Sequence, residues 1–158
     1  MGTRIDWLND PDAPPANSIV PSANVIVVND QGEILMIQRS DNGNWAVPGG
    51  GMDLGESMPG CAIRETKEET GYDVEITGLV GIYTDPNHRI EYTSDGEVRQ
   101  EFSIVFTARP LAGEPTLNPE ALHVEWFSPD QLAELKIHDT MRKRIQQYLD
   151  GGGQPYLG

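Results

Sequence analysis

Residues 49–72 read GGGMDLGESMPGCAIRETKEETGY, a glycine-rich turn followed by a run with helix-forming residues and helix-capping residues. Ser57 is a suitable N-terminal cap, and Pro59 is tolerated in a first helical turn. Gly71 stands where a left-handed residue commonly ends a helix. The pattern therefore predicts a helix over residues 58–70.

Three carboxylates share one face of this predicted helix. Glu65, Glu68 and Glu69 occupy positions i, i+3 and i+4, which are neighbours on an α-helix. Arg64 lies four residues before Glu68 and offsets only part of their mutual repulsion. A hard divalent cation such as Mg²⁺ prefers carboxylate and carbonyl oxygens and would supply the missing positive charge. The preceding glycines, which lack a Cβ atom, would let the backbone approach a metal ion or a phosphate closely.

The spacing across the stretch resembles the signature of a known family. The pattern is similar to the Nudix hydrolase box, GX5EX7REUXEEXGU, in which U is a bulky aliphatic residue. The two U positions carry Thr66 and Tyr72, a departure that removes no charged residue. The positions that match the defined residues of the box are Gly50, Glu56, Arg64, Glu65, Glu68, Glu69 and Gly71.

The resemblance implies an α+β fold, an α/β/α sandwich around a mixed β-sheet in which the box forms a loop–helix–loop. The element order agrees with this, because predicted strands and helices follow one another without regular βαβ alternation. The implied activity is a pyrophosphohydrolase that uses Mg²⁺, with Mn²⁺ as a substitute. It would cleave a phosphoanhydride bond of a nucleoside triphosphate, a nucleotide sugar or ADP-ribose with a metal-activated water.

The resemblance also implies roles for individual residues of the box. Arg64 would orient the glutamates, and Glu56 would have a structural role beside them. Glu65 and Glu68 would take part in catalysis as well as in metal binding. The implied metal ligands are Glu65, Glu69, Glu68 and a backbone carbonyl of Gly49 or Gly50.

Candidate residues outside the box come from the later loops and strands. Glu120 is favoured as an additional carboxylate at the metal or as a base, and Glu101 is the second candidate. Arg89 or Arg99 is expected to bind a terminal phosphate, and Tyr92 or Tyr83 is expected to stack on a base.

Length and composition limit the other possibilities. A chain of 158 residues suits one domain with a proper core. Its net charge of −14 disfavours nucleic-acid binding, including messenger-RNA decapping, since a basic patch is absent. No apolar run is long enough for a membrane helix, and the first residues do not read as a secretory signal. Cys61 is the only cysteine, so a cytoplasmic location is expected.

The predicted organisation has an extended N-terminal arm over 1–17, a Nudix domain over 18–150 and a flexible tail over 151–158. Two β-rich runs around the turn at Asp30 predict a hairpin. A polar loop is expected to precede a long strand that begins near Arg99.

Two questions stay open in the sequence. The alternative to an enzyme is a catalytically silent Nudix-like module that binds or senses nucleotides. The retained glutamates and arginine of the box favour the enzyme, because silent relatives generally lose them. The chain is expected to be a monomer or a homodimer, with the segment around Trp7 as a possible exchange element.

Overall fold

The structure is a computed structural model that describes residues 3–158. Its helices are α1 (Met58–Thr70) and α2 (Asp139–Asp150), with a 3₁₀ helix at Pro129–Glu134. The first strands are β1 (Arg4–Leu8), β2 (Ser18–Ile19), β3 (Ser22–Val27), β4 (Ile34–Arg39), β5 (Trp45–Ala46) and β6 (Gly49–Gly51). The strands after α1 are β7 (Tyr72–Tyr83), β8 (His88–Tyr92), β9 (Glu97–Gln100), β10 (Ser103–Gly113), β11 (Ala121–Phe127) and β12 (Tyr156–Leu157).

The strands form three groups in the described chain. Their orders are β1-β8-β9-β2, β12-β7-β10-β3-β6 and β11-β4-β5. The central group is mixed, because β10 is parallel to β3 and antiparallel to β7. One apolar cluster packs between α1 and this sheet, and a second lies toward α2 and the 3₁₀ helix. The predicted α+β fold with a mixed sheet is confirmed.

Helix α1 has the predicted bounds because its ends carry strong local signals. The Ser57 hydroxyl accepts a hydrogen bond from the Gly60 amide, and Gly71 adopts a φ of 86°. One face of the helix is buried against the sheet, through Cys61, Ala62, Thr66 and Thr70. This burial turns the opposite face, with its carboxylates, toward the glycines of β6.

The predicted hairpin of β3 and β4 is wrong in its pairing. The turn is present, but only one isolated bridge, between Val28 and Ile34, joins the two strands. They then enter different groups of strands. Residues 25–27 and 34–37 are buried without alternation, so both faces of each strand are covered. Such strands can each belong to a sheet of their own.

The region predicted as a polar loop before Arg99 contains an antiparallel hairpin of β8 and β9. Its turn includes Asp95 and Gly96, and Gly96 has a positive φ of 76°. An Asp-Gly pair between alternating strands is a hairpin signal. The predicted long strand is also divided, since β9 ends at Gln100 and β10 begins at Ser103.

Both ends of the chain add strands that the sequence reading does not contain. Strand β1 pairs with β8, and the Trp7 indole donates a hydrogen bond to Glu91. Strand β12 pairs with β7, and Tyr156 stacks on Tyr83. Residues 4–8 of the predicted arm and residues 156–157 of the predicted tail therefore belong to sheets. Across residues 3–158, no helix is long and apolar enough to span a membrane.

Candidate active site

A cleft opens between the glycine strand β6 and the β1-β8-β9 group. One wall carries the Gly49–Gly51 backbone and Glu69, at the side of helix α1. A second wall carries residues of β1, β8 and β9, and the floor carries polar residues of β3, β10, α2 and the link between β9 and β10. Members of the second wall and the floor are Arg4, Asp6, Tyr92, Arg99, Glu101 and Arg144.

Arg64 holds several acidic groups in fixed positions beside this cleft. Its Nε and terminal nitrogen donate to both carboxylate oxygens of Glu56, at 2.6 and 2.9 Å. Its other terminal nitrogen donates to Glu65 at 2.9 Å and to Glu68 at 3.2 Å. A further bond at 3.1 Å reaches the carbonyl of Gly51. The hydrogen bonds from Arg64 lower the pKa of Glu56 to about 2, so that Glu56 stays ionised.

Glycine at position 50 is required by the position of the Glu65 carboxylate. A Cβ atom at Gly50 would lie 2.4 Å from the carboxyl carbon of Glu65 and 2.6 Å from both oxygens. Any larger residue would therefore push this carboxylate away from the β6 backbone. The glycine-rich turn serves to bring the backbone and a carboxylate of α1 together.

Ionisation of Glu69 is unfavourable in this environment. Burial is the main cause that raises its pKa to about 8, and the neighbouring charge of Glu65 adds to it. The Gly49 backbone and Arg39 oppose this rise, whereas the charge of Glu120 adds to it. Burial also raises the pKa of Glu65, despite its contact with the Arg64 guanidinium. The neighbouring arginines therefore do not supply enough positive charge to compensate the Glu65–Glu69 pair.

The donor chemistry of this pair fits a hard divalent cation. Among residues 3–158, no three His, Cys, Asp or Glu side chains converge as a complete metal site. One reason is that Arg64 already holds Glu65 and Glu68. Mg²⁺ is usually bound by one or two carboxylates together with substrate phosphates, and seldom by a complete protein cage. Two half-buried carboxylates that repel each other beside an open backbone meet that requirement.

The two carboxylates outside the box lie in different surroundings. Glu101 is only 6% exposed on the cleft floor, where it accepts a hydrogen bond from the Ser103 hydroxyl. It also lies 3.5 Å from nitrogens of Arg144 and of His88. Glu120 is exposed and close enough to Glu69 to raise its pKa. Glu120 is therefore free to act at the box, whereas the contacts of Glu101 hold the floor together.

Arg89 is not among the cleft residues, whereas Arg99 and Tyr92 line the cleft, and the substrate-binding roles of all three stay predictions. Arg89 donates to the carbonyls of Ala13 and Pro14, at 3.2 and 2.9 Å, and thereby holds the N-terminal arm. Successive residues of a strand point to opposite faces, so Arg89 faces away from the cleft that His88 and Ile90 line. Arg99 and Tyr92 both line the cleft, with the guanidinium 4.7 Å from the ring centroid.

Several cleft residues are absent from the sequence reading. Arg144 is 5% exposed and donates a hydrogen bond to Asn24, and its burial lowers its pKa. Burial also acts on Asp6, but His88 and Arg4 outweigh it and hold the pKa of Asp6 well below its usual range. A charged residue in an amphipathic helix or in a short terminal strand gives no sequence signal that it enters a cleft.

Comparison with known proteins agrees with this geometry. The family model described as "NUDIX domain" matches residues 19–148. The chain belongs to the Nudix hydrolase family. Its Nudix domain thus includes the glycine strand, helix α1 and both carboxylates outside the box, whereas strand β1 lies before the matched region.

Curated relatives of this Nudix hydrolase carry names of nucleotide-cleaving enzymes. A "Putative 8-oxo-dGTP diphosphatase" of Bacillus subtilis is 42% identical over 127 residues, covering 80% of this chain and 78% of the relative. An "ADP-ribose pyrophosphatase" of Methanocaldococcus jannaschii is 30% identical over 129 residues, covering 79% and 72%.

A solved structure also shares the fold of this Nudix hydrolase. The MutT protein from Methanosarcina mazei superposes with a TM-score of 0.69 at 22% identity, covering 87% of this chain and 98% of that one.

Proposed function

We propose that this Nudix hydrolase cleaves a phosphoanhydride bond of a nucleotide derivative with the help of Mg²⁺. The observation that carries the proposal is the Glu65–Glu69 carboxylate pair, raised in pKa, against the open backbone of the glycine strand. Such a pair needs a cation, and a pyrophosphate needs cations to approach it. Nudix hydrolases generally use divalent metal ions.

The residues of the box have different roles in this proposal. Glu65 and Glu69 would hold the cation, Glu68 would assist them, and the Gly49 or Gly50 carbonyl would contribute a further oxygen. A cation bound there supplies Lewis-acid charge to the pyrophosphate oxygens. Arg64 keeps Glu65 and Glu68 in position, and Glu56 in turn fixes the plane of the guanidinium.

The carboxylates outside the box receive different roles in this proposal. Glu120 is the candidate for accepting a proton from the attacking water. It is exposed, and it lies close enough to Glu69 for its charge to raise the pKa of Glu69. Glu101 supports the cleft floor through Arg144 and Ser103. Arg99 and Tyr92 contact the part of the substrate that lies beyond the pyrophosphate.

The relatives supply two substrate classes. The name of the Bacillus subtilis relative points to an oxidised purine nucleoside triphosphate, and that of the Methanocaldococcus relative points to ADP-ribose. The higher identity to the first favours a nucleoside triphosphate.

A nucleotide panel with Mg²⁺ tests the activity directly. The panel contains normal and oxidised nucleoside triphosphates, ADP-ribose and nucleotide sugars, and phosphate or pyrophosphate release is measured. We expect turnover that is abolished by excess EDTA and restored by Mg²⁺ or Mn²⁺. Cys61→Ala is the matched control on the same helix, since Cys61 packs in the core and should leave the rate within a few-fold. Binding of a nucleotide without any hydrolysis would instead support a silent nucleotide-binding module.

A further inference from the structure

Strand β1 lies outside the region that the family model matches, yet it forms part of the cleft. The matched region begins at residue 19, whereas β1 spans Arg4–Leu8 and pairs with β8. Arg4 and Asp6 line the same cleft as Gly50 and Glu69. The membership of the family therefore does not explain this part of the wall.

The strand register places six side chains on one face of the β1-β8-β9 group. Directly paired residues project to the same face, with Cβ atoms about 4.5–5.5 Å apart in general. Side chains in neighbouring rows are then close enough to form one continuous surface. Two rows of cross-strand partners result, one of Arg4, Tyr92 and Glu97 and one of Asp6, Ile90 and Arg99.

Each arginine of this surface is held by a carboxylate two residues away. Arg4 donates to Asp6 through Nε at 3.4 Å and through a terminal nitrogen at 3.1 Å. Arg99 donates in the same way to Glu97, at 2.6 and 3.1 Å. Neither of the remaining terminal nitrogens donates a hydrogen bond to any residue within 3–158. Each pair carries no net charge, and each guanidinium keeps free N–H donors.

A surface of this kind matches a nucleobase better than it matches a phosphate. A phosphate is attracted by net positive charge, which the paired arginines do not provide. A planar base stacks on guanidinium planes and aromatic rings, and its carbonyl and ring nitrogen atoms accept hydrogen bonds from arginine. Tyr92, with Arg99 over its ring, adds an aromatic component to the same surface.

We infer that β1, β8 and β9 form a base-binding wall, in which Arg4 recognises the nucleobase of the substrate. The inference rests on the proposed function, since the wall would bind the far end of the same nucleotide. Asp6 acts as a positioning residue, because it accepts hydrogen bonds from Nε and a terminal nitrogen of the Arg4 guanidinium. The side chain of Arg4 is 27% exposed and therefore reachable from the cleft.

Binding without turnover tests this wall. The protein is titrated calorimetrically in EDTA with the four common nucleoside 5′-monophosphates and with ribose 5-phosphate, which has the phosphate but no base. We expect Arg4→Gln to weaken the tightest nucleoside monophosphate at least about tenfold, in line with the value of one bidentate base contact. The affinity for ribose 5-phosphate should not change.

Two further variants make the result specific. Arg4→Lys keeps the charge but loses the planar fork, so it should bind the base as poorly as Arg4→Gln. Arg109→Gln is the matched control, because Arg109 is an exposed arginine of β10 in an ion pair with Glu75, away from the cleft. It should leave all affinities unchanged, and thermal melting should show that every variant is folded.

Four outcomes would overturn the inference. The first is an unchanged affinity in Arg4→Gln, and the second is that none of the four nucleoside monophosphates binds. The other two are an equal loss of affinity for ribose 5-phosphate and full rescue by Arg4→Lys, both of which would indicate a phosphate site. A protein that binds the base through Arg4 but hydrolyses no nucleotide would contradict the proposed function and leave this inference intact.

Discussion

Replacing Glu69 by Gln removes a half-buried carboxyl group whose ionisation the metal-free protein tolerates poorly. The pKa of Glu69 is raised from its ordinary value of 4.5 to about 8, first by burial and then by Glu65. Each pH unit between the folded and unfolded pKa values corresponds to about 1.4 kcal/mol. The separation therefore sets a ceiling of about 5 kcal/mol for the cost of ionising Glu69 in the folded state.

The pH dependence of this cost has a defined sign. The folded state holds the proton of Glu69 more tightly than the unfolded state does. Its stability is therefore greatest below the ordinary pKa of 4.5 and falls as the pH rises toward about 8. Because Glu65 shares the repulsion and the site relaxes, we expect Glu69→Gln to stabilise the metal-free protein at pH 8 by about 1–3 kcal/mol. The gain should disappear near pH 5.

Urea unfolding in EDTA at pH 5, 6.5 and 8 measures these differences, and turnover with Mg²⁺ is measured on the same preparations. The turnover of Glu69→Gln should fall by about a hundredfold or more, since loss of a cation contact costs several kcal/mol in the transition state. Glu68→Gln is the control for stability, because the Glu68 side chain is 59% exposed and its change should be within about 0.5 kcal/mol. A Glu69→Gln protein that is less stable at pH 8 and fully active would refute the reasoning.

Three further substitutions test neighbouring contacts. Gly50→Ala should lower turnover at least about tenfold, because the new Cβ displaces the Glu65 carboxylate, whereas Gly152→Ala, which meets nothing within 4 Å, should not. Arg64→Lys keeps the charge but not the fork, so turnover should fall about tenfold and the pKa of the carboxylate at position 56, followed by NMR, should rise. Glu101→Gln weakens a buried ion pair and should cost about 3 kcal/mol in urea unfolding; a change below about 0.5 kcal/mol would contradict its role on the floor.

Local signals explain which parts of the fold could be predicted. Helix α1 follows from its capping residues, Ser57 and Gly71, which act within one turn of the helix end. The shared face of Glu65 and Glu69 follows from helical geometry alone. The roles of these residues in catalysis stay predictions.

Long-range pairing explains what the sequence could not predict. The partner of β1 is β8, about 80 to 90 residues away, so the short run RIDWL near the N-terminus reads as part of an arm. The same pairing decides which face of β8 lines the cleft. Arg89 lies on the other face, where it donates hydrogen bonds to backbone carbonyls of the N-terminal arm. The burial of Arg144 could not be predicted from the sequence either. Arg144 looks like a surface residue of an amphipathic helix until the packing of α2 is known.

The edge position of β1 gives the chain a modular character. This strand pairs with β8 alone within the described sheet, and residues 9–17 connect it to the rest of the domain. The cleft wall that carries Arg4 and the helix that carries the glutamates are thus encoded by separate stretches of the coding sequence. Recombination within the connecting segment could exchange one without altering the other. Evolution, or a library of N-terminal chimaeras, could in this way change nucleotide preference while the hydrolytic helix stays constant.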